Sequence, residues 1–302
     1  MFTEPIREGA RIEVHFGGAP ANLAVGVSRL GHKAGFIGAV GSDDFGRFLI
    51  NTLKAYGIDT GMVKVKKART TLAFVIVDEK GERTFFFYTK PWSNTASTML
   101  EITDVDLDKV CRSKILHFTG FSTSHPPLSD TVYAVVQHAL KKGVKISYDP
   151  TFRKDIWPSR EHAVEAFRKS LELSTIVSLS IDEVIEFYNT TDYVGVANHM
   201  IRNYPGIEVV AIRLGSKGAY VKTRSGREAY AEAFKVKVVD TTGAGDAWTA
   251  AFLVSYILEK MDLDYSVKFA NAVAALVCTK YGAITSYPSR DEVEDFMKKQ
   301  GL

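Results

Sequence analysis

Cysteine is scarce in this chain of 302 residues: Cys111 and Cys278 stand far apart, with no Cys-x-x-Cys and no Cys/His ligand spacing around either. A disulfide scaffold and a Cys/His metal site are thereby excluded, and two reduced thiols of a cytoplasmic protein are expected. Long apolar runs are missing too: none approaches the ~20 residues of a membrane span. The opening Met1-Phe-Thr-Glu-Pro carries neither the basic nor the apolar region of a secretion signal. An excess of one charge is also lacking. The 38 Lys and Arg are interspersed with 35 Asp and Glu for a net charge of +3, which argues against a nucleic-acid partner. The seven His are scattered and none forms His-Glu-x-x-His. There is no repeat, low-complexity tract or flexible linker. What remains, 46% hydrophobic and 24% charged residues, describes a soluble globular chain with one large domain and an excursion from it.

Along the chain, short β-branched or apolar runs alternate with helical patterns. Residues 36–40, 115–118, 145–148, 175–179 and 208–212 read as strands, and 22–30, 44–56, 128–142 and 160–173 as helices. This βαβ alternation predicts a three-layer αβα fold with a mostly parallel central sheet, and ligands beyond the C-terminal strand ends. One stretch breaks the pattern. Residues 70–77 and 84–88, joined by Asp78-Glu-Lys-Gly-Glu-Arg83, read as a hairpin, and the alternating Arg11 to Phe16 is expected to pair with it. The division that follows is a core of residues 17–68 and 98–302 with a small β-sheet lid of residues 8–16 and 69–97.

The most telling segment is Asp240-Thr-Thr-Gly-Ala-Gly-Asp246, which follows a β-branched run read as a strand and enters the apolar-faced helix 247–258. Two glycines before a helix start let backbone N–H groups crowd around an anion. A carboxylate at Asp246 beside a phosphate is repulsive unless it has work to do, such as taking a proton from an alcohol. The competing reading is a helix cap. Upstream, Gly17-Gly-Ala-Pro-Ala-Asn22 offers close backbone approach and an amide suited to sugar hydroxyls, or merely a turn and a cap. Leu214-Gly-Ser-Lys-Gly218 admits a nucleotide's phosphates or is a plain turn between strands.

Taken together, Gly17 to Gly31, Ile37 to Gly46 and Asp240 to Ala247 resemble, in order, the signature regions of the ribokinase-like (PfkB) carbohydrate kinases, and the match spans nearly the whole chain. The resemblance implies transfer of the γ-phosphoryl group of ATP to a sugar hydroxyl. It places Asp246 as the base and Gly243, Ala244 and Gly245 as the anion hole. Gly17, Gly18 and Asn22 fall at sugar-contacting positions. Ser180, Arg213, Gly215, Gly218 and Asn271 fall at nucleotide-side positions. Glu183 would help hold Mg2+ through water, and Asp240, Thr242 and Ser286 fall where relatives hold a monovalent cation such as K+.

For the substrate, Ser147-Tyr-Asp-Pro-Thr-Phe-Arg153 through Trp157 is similar to a segment of fructokinases and 2-keto-3-deoxygluconate kinases, with Thr151 in place of the usual Asn. Arg153 would contact phosphate with its planar fork, or form an ion pair with Asp149. The segment 81–88 with Pro91 looks like a fructokinase lid, whereas Arg213 before Leu-Gly is familiar in the ketodeoxygluconate group. Fructose is the expected sugar. The apolar lid run 85–88 is expected to cover the substrate or to bury against a second copy in a homodimer. Relatives open with a strand carrying Gly-Glu and a sugar-binding Asp, and none of the residues before Gly17 supplies that pattern. The sequence is therefore expected either to begin late or to lack this strand. A real loss of two hydrogen bonds to a charged group would cost ~3 to 6 kcal/mol of sugar binding. That keeps open a different class of protein, a non-catalytic sugar- or nucleotide-binding chain on the same fold.

Overall fold

A computed structural model describes residues 8, 9, 12–77 and 83–302. Met1 to Pro5, Arg11 and the expected hairpin loop 78–82 lie outside the described residues. Six strands form the main sheet, in the order β10 (Glu228–Ala231), β9 (Ala219–Thr223), β8 (Val209–Arg213), β7 (Ile176–Ser180), β6 (Lys145–Asp149), β5 (Ile115–Thr119). Strands β5 to β8 are parallel, while β9 and β10 run antiparallel at one edge.

Alternate residues of these strands feed two apolar cores. Ile176, Val209, Ala211 and Val221 face one, and Val177, Leu179, Val210 and Ile212 the other. A strand buried on both faces needs an unbroken apolar run, which is how Val209 to Ile212 read after the exposed Glu208. The first face is covered by α1 (Ala19–Arg29), α8 (Ala244–Phe252), α9 (Leu263–Val277) and α10 (Arg290–Lys299). The second is covered by α4 (Leu128–Lys141), α5 (Arg160–Glu172), α6 (Ile181–Tyr188) and α7 (Tyr193–Asn203). The remaining helices are α2 (Asp44–Ala55) and the short α3 (Leu107–Cys111). The three-layer arrangement expected from the alternation is present. Among the described residues, no helix is long and apolar enough to cross a membrane.

Three local expectations are corrected. The run 36–40 does form β1 (Gly35–Gly41), but among the described residues it pairs, in parallel, only with β2 (Asp59–Lys66) and makes a separate two-stranded sheet. Among the described residues no strand lies between β1 and β5, and a cavity of about 2290 Å3 extends between them. The hairpin is β3 (Leu72–Val77) and β4 (Arg83–Tyr88), again two-stranded, because Ile12 to Phe16 are irregular and do not join it. The β-branched run before Asp240 is irregular as well. Its end is held by Val239 and Asp240 N–H groups donating to the Cys278 carbonyl just after α9, and among the described residues the run joins no sheet.

The hairpin reaches the strand ends through Phe87, whose ring lies 5.5 Å from Phe121 in the turn after β5. Thr71 to Val75 and Phe87 thereby form part of the cavity wall. Phe86, Tyr88 and Trp92 are exposed on the outside.

Candidate active site

Helix α8 begins three residues earlier than its apolar periodicity suggests, so Asp246 stands in its first turn. Gly243 is the N-cap residue at φ 78°, and no side chain caps the helix. The tight fit explains the glycine: a Cβ there would meet Ala283 Cβ and Tyr287 Oη at 2.9 Å. Tyr287 Oη donates to the Gly243 carbonyl at 2.8 Å and braces the turn from below. No side chain caps this helix start, and Gly243 and Gly245 line the cavity, which suits an anion of phosphate size, while the Ala244 N–H donates to the Thr241 carbonyl at 3.2 Å.

Asp246 does not cap its helix. Its Oδ2 accepts a 2.8 Å hydrogen bond from Asn22 Nδ2, a residue on α1 and 224 positions away. Asn22 does not cap its own helix either, since that position belongs to Gly18. The other amide atom, Asn22 Oδ1, is buried without a partner, as is Thr119 Oγ1 at the end of β5. Both residues line the cavity. Buried polar atoms are normally satisfied, so two atoms without partners among the described residues on one cavity wall, the first on the residue that holds Asp246, suit the hydroxyls of a small polyol. Burial pushes Asp246 up from 3.8 to about 7; the Asn22 bond opposes this, Asp149 adds to it, and Arg213 and Arg153 oppose it.

Behind this turn lies a charged cluster at the C-terminal strand ends. Arg213 Nη1, at the end of β8, donates to Asp149 Oδ2 at 2.7 Å, to Thr249 Oγ1 at 2.9 Å and to Ser178 Oγ. Its Nη2 lies 3.9 Å from Glu183 Oε2. Glu183 forms a capping box with Ser180, whose N–H it accepts at 2.7 Å, and its other oxygen accepts the Phe152 N–H at 2.9 Å. Burial and then Asp149 raise the Glu183 pKa, while Arg213 and the two N–H groups lower it. Asp149 also turns the chain by accepting the Thr151 N–H at 3.0 Å. Thr151 sits at φ 41°, a left-handed conformation uncommon for a β-branched residue. Next to Asp149, His117 is pushed down to about 4, chiefly by burial, and is neutral near pH 7.

The cavity wall brings together Gly17, Gly18, Asn22, Arg153, Ser180, Glu183, Arg213, Thr242, Gly243, Gly245 and Asp246. Ala244, Gly215, Gly218, Asp240, Asn271 and Ser286 lie outside it. Asn271 is turned inward: it accepts from Trp248 Nε1 at 2.7 Å and donates to the Ala231 and Glu232 carbonyls. Gly218, at φ 102°, lets the chain pass so close that a Cβ would stand 1.9 Å from the Ala231 carbonyl oxygen. Asp240 is fully buried, its two oxygens accepting the Thr242 and Gly282 N–H groups at 2.7 and 2.9 Å. Ser286 Oγ donates to the Gly282 carbonyl at 2.8 Å.

A divalent cation finds no cluster of direct protein ligands among the described residues. The carboxylates of Asp149, Glu183 and Asp246 line the same cavity, a donor set that would suit a divalent cation carried by phosphate oxygens and water. Sequence reasoning missed Ser178, Thr249, Thr119 and Tyr287. Ordinary core serines, threonines and tyrosines carry no motif, so no signal in the chain singles them out.

Comparisons with known proteins identify the family and the fold. Residues 2–290 match the sequence model of the pfkB family carbohydrate kinases. The chain is 37% identical over 290 residues to fructokinase-1 of Zea mays, covering 94% of this chain and 88% of that protein. It is 36% identical over 294 residues to a probable chloroplastic fructokinase-6 of Arabidopsis thaliana, covering 94% and 74%. Among solved structures, it is similar to fructokinase with bound ATP from Xylella fastidiosa, at TM-score 0.85 and 29% identity over 95% of this chain and 91% of that one. It is also similar to a Vibrio cholerae fructokinase with fructose, ADP and calcium bound, at TM-score 0.83 and 29% identity over 97% and 94%.

Proposed function

The chain belongs to the pfkB family of carbohydrate kinases, and from that premise we propose that it phosphorylates fructose with ATP, using Asp246 as the general base. The observation that carries the site assignment is the Asn22–Asp246 pair at the mouth of an uncapped helix, with Asn22 Oδ1 left unpaired. A base poised near neutrality is matched to proton transfer from an alcohol at physiological pH. With Oδ2 held by Asn22, Oδ1 receives the proton while the sugar oxygen bonds to the γ-phosphorus. The bond from that phosphorus to the β–γ bridging oxygen breaks, and ADP leaves. The backbone N–H groups of Gly243 and Gly245, joined by that of Ala244 once it leaves the Thr241 carbonyl, would neutralise charge on the transferring group, the main task in so loose a transition state. Arg153, near enough to Asp246 to lower its pKa, would steady the phosphoryl oxygens.

Mg2+ held by the nucleotide would supply further charge neutralisation, with Glu183 contacting it through water. For K+, the Asp240 carboxylate is already spent on backbone N–H groups, so its site would rest on main-chain oxygens near Thr242 and Ser286. Residues 69–97 act in this reading as a lid on the core. Support for fructose comes from the fructokinases to which the chain is similar. Arg213, the residue that speaks for ketodeoxygluconate, directs its guanidinium into the Asp149 cluster. An ADP-release assay over fructose, ketodeoxygluconate, ribose and nucleosides should show Mg2+-dependent turnover, fastest with fructose. Faster turnover of ketodeoxygluconate would reassign the sugar. Saturable binding with no ADP from any sugar would make the chain a binding protein.

A further inference from the structure

We propose that Arg213 is a positioning residue for phosphoryl transfer: without touching substrate, it ties four elements together behind the Gly243–Asp246 turn and sets a fixed positive charge at the back of the base. This rests on the reading of Asp246 as the base. The geometry argues for it in three ways. First, one guanidinium joins β6 through Asp149, β7 through Ser178, α6 through Glu183 and α8 through Thr249, and Ser178 and Thr249 also bond to each other at 2.9 Å. Thr249 lies one turn beyond Asp246 on α8, so this bond fixes how deep the helix start sits over the strand ends.

Second, Arg213 lies directly under the phosphate turn. Its Nε, Cζ and Nη2 stand 3.5, 3.6 and 3.7 Å from where a Cβ on Gly245 would be. These are contact distances, so the guanidinium packs directly against the backbone of Gly245. Third, the side chain is only 14% exposed and the Asp149 side chain 6%, so their charges act through protein and are weakly screened.

Charge bookkeeping makes Arg213 necessary. Asp246 is faced by Asn22 from α1, Asp149 at the end of β6, Arg153 from the segment after it, Arg213 from β8 and Tyr287. Arg213 is faced by Asp149, Glu183 and the neutral His117 of β5. Asp149, Glu183 and Asp246 therefore share one deeply placed cation. Burial disfavours the charge of Arg213, but Asp149 and Glu183 raise its pKa, and Asp246 contributes in the same direction. Without Arg213, Arg153 alone of the two cations that favour ionisation of Asp246 would stand against Asp149.

The test is the acid limb of kcat/KM. An opposite charge at this range moves a carboxylate by ~1 unit or more. Arg213→Met should therefore raise the midpoint of the limb by about one unit, lowering kcat/KM at pH 7 about fivefold from this cause, with recovery by pH 9. The KM for ATP should hold within about twofold, and Arg213→Lys should return the midpoint. Should the Met variant not fold, the same displacement is read between Asp149→Asn and Asp149→Asn/Arg213→Met, in which the stranded carboxylate is gone. An unmoved limb, or a loss that high pH does not recover, overturns the proposal. So does a raised KM for ATP with the limb in place, which would make Arg213 a nucleotide contact. Retained turnover in Asp246→Asn would sink the base assignment itself. An inactive Asp246→Asn with an unmoved Arg213 limb sinks only this inference.

Discussion

Replacing Asp246 by Asn should make the ligand-free protein more stable and nearly inactive at once, and the pH dependence of the gain identifies the cause. Burial raises the carboxyl from its ordinary 3.8 to about 7 in the folded chain. An acid whose folded pKa is raised binds its proton more tightly when folded, so its stabilising contribution is complete below pH 3.8. That contribution is lost as pH rises through the window up to about 7, and the loss is constant above it. About three units at 1.36 kcal/mol each put the loss at ~4 kcal/mol as a ceiling. An amide carries no such loss, and its oxygen still accepts from Asn22 Nδ2. Urea or thermal denaturation should show the variant and the parent alike near pH 4. By pH 8 the variant should be ahead by up to ~4 kcal/mol, roughly 5 to 10 °C in Tm for a chain of this size. Turnover of fructose at pH 8 should fall by ~10² or more. Equal stability at both pH values would show that the carboxylate is not held in a desolvated site. Turnover within tenfold of the parent would show that another group takes the proton.

Three further substitutions separate the roles of neighbouring residues. Asn22→Leu removes a charge-assisted bond worth ~1.5 to 3 kcal/mol, so kcat/KM for the sugar at pH 7 should fall about 10- to 100-fold with the KM for ATP unchanged; equal losses for both substrates would contradict the placement of Asn22. Gly218→Ala must put a Cβ 1.9 Å from the Ala231 carbonyl oxygen at φ 102°. A loss of ~2 to 4 kcal/mol in a denaturant titration is expected, and an unchanged midpoint would refute the close approach. Asn271→Leu leaves the Trp248 indole and two carbonyls unpaired. It should cost ~2 to 4 kcal/mol while moving the KM for ATP less than about twofold, whereas a large KM change at full stability would return Asn271 to the nucleotide.

Much of the framework is legible along the chain because its causes are local. An apolar run such as 209–212 must be buried on both faces, and the threefold and fourfold spacing in 160–173 buries one stripe. Gly243 and Gly245 at the start of an apolar-faced helix similarly raise the expectation of an anion cradle. The reading failed where pairing partners decide the outcome. The run before Asp240 has strand chemistry, yet its N–H groups go to the Cys278 carbonyl, far along the chain. Residues 36–40 form a strand whose sheet membership was set by β2 alone.

The residue types, the order of the glycine turns and the alternation of elements are properties of the sequence, and they suffice for the fold class and the family. Only the tertiary structure brings Asn22 against Asp246 across 224 positions and gathers Asp149, Ser178 and Thr249 around Arg213. Desolvation and Coulomb forces depend on distance in space, to which separation along the chain is no guide. The raised pKa of Asp246 arises from such contacts, and no shorter segment of the chain contains it.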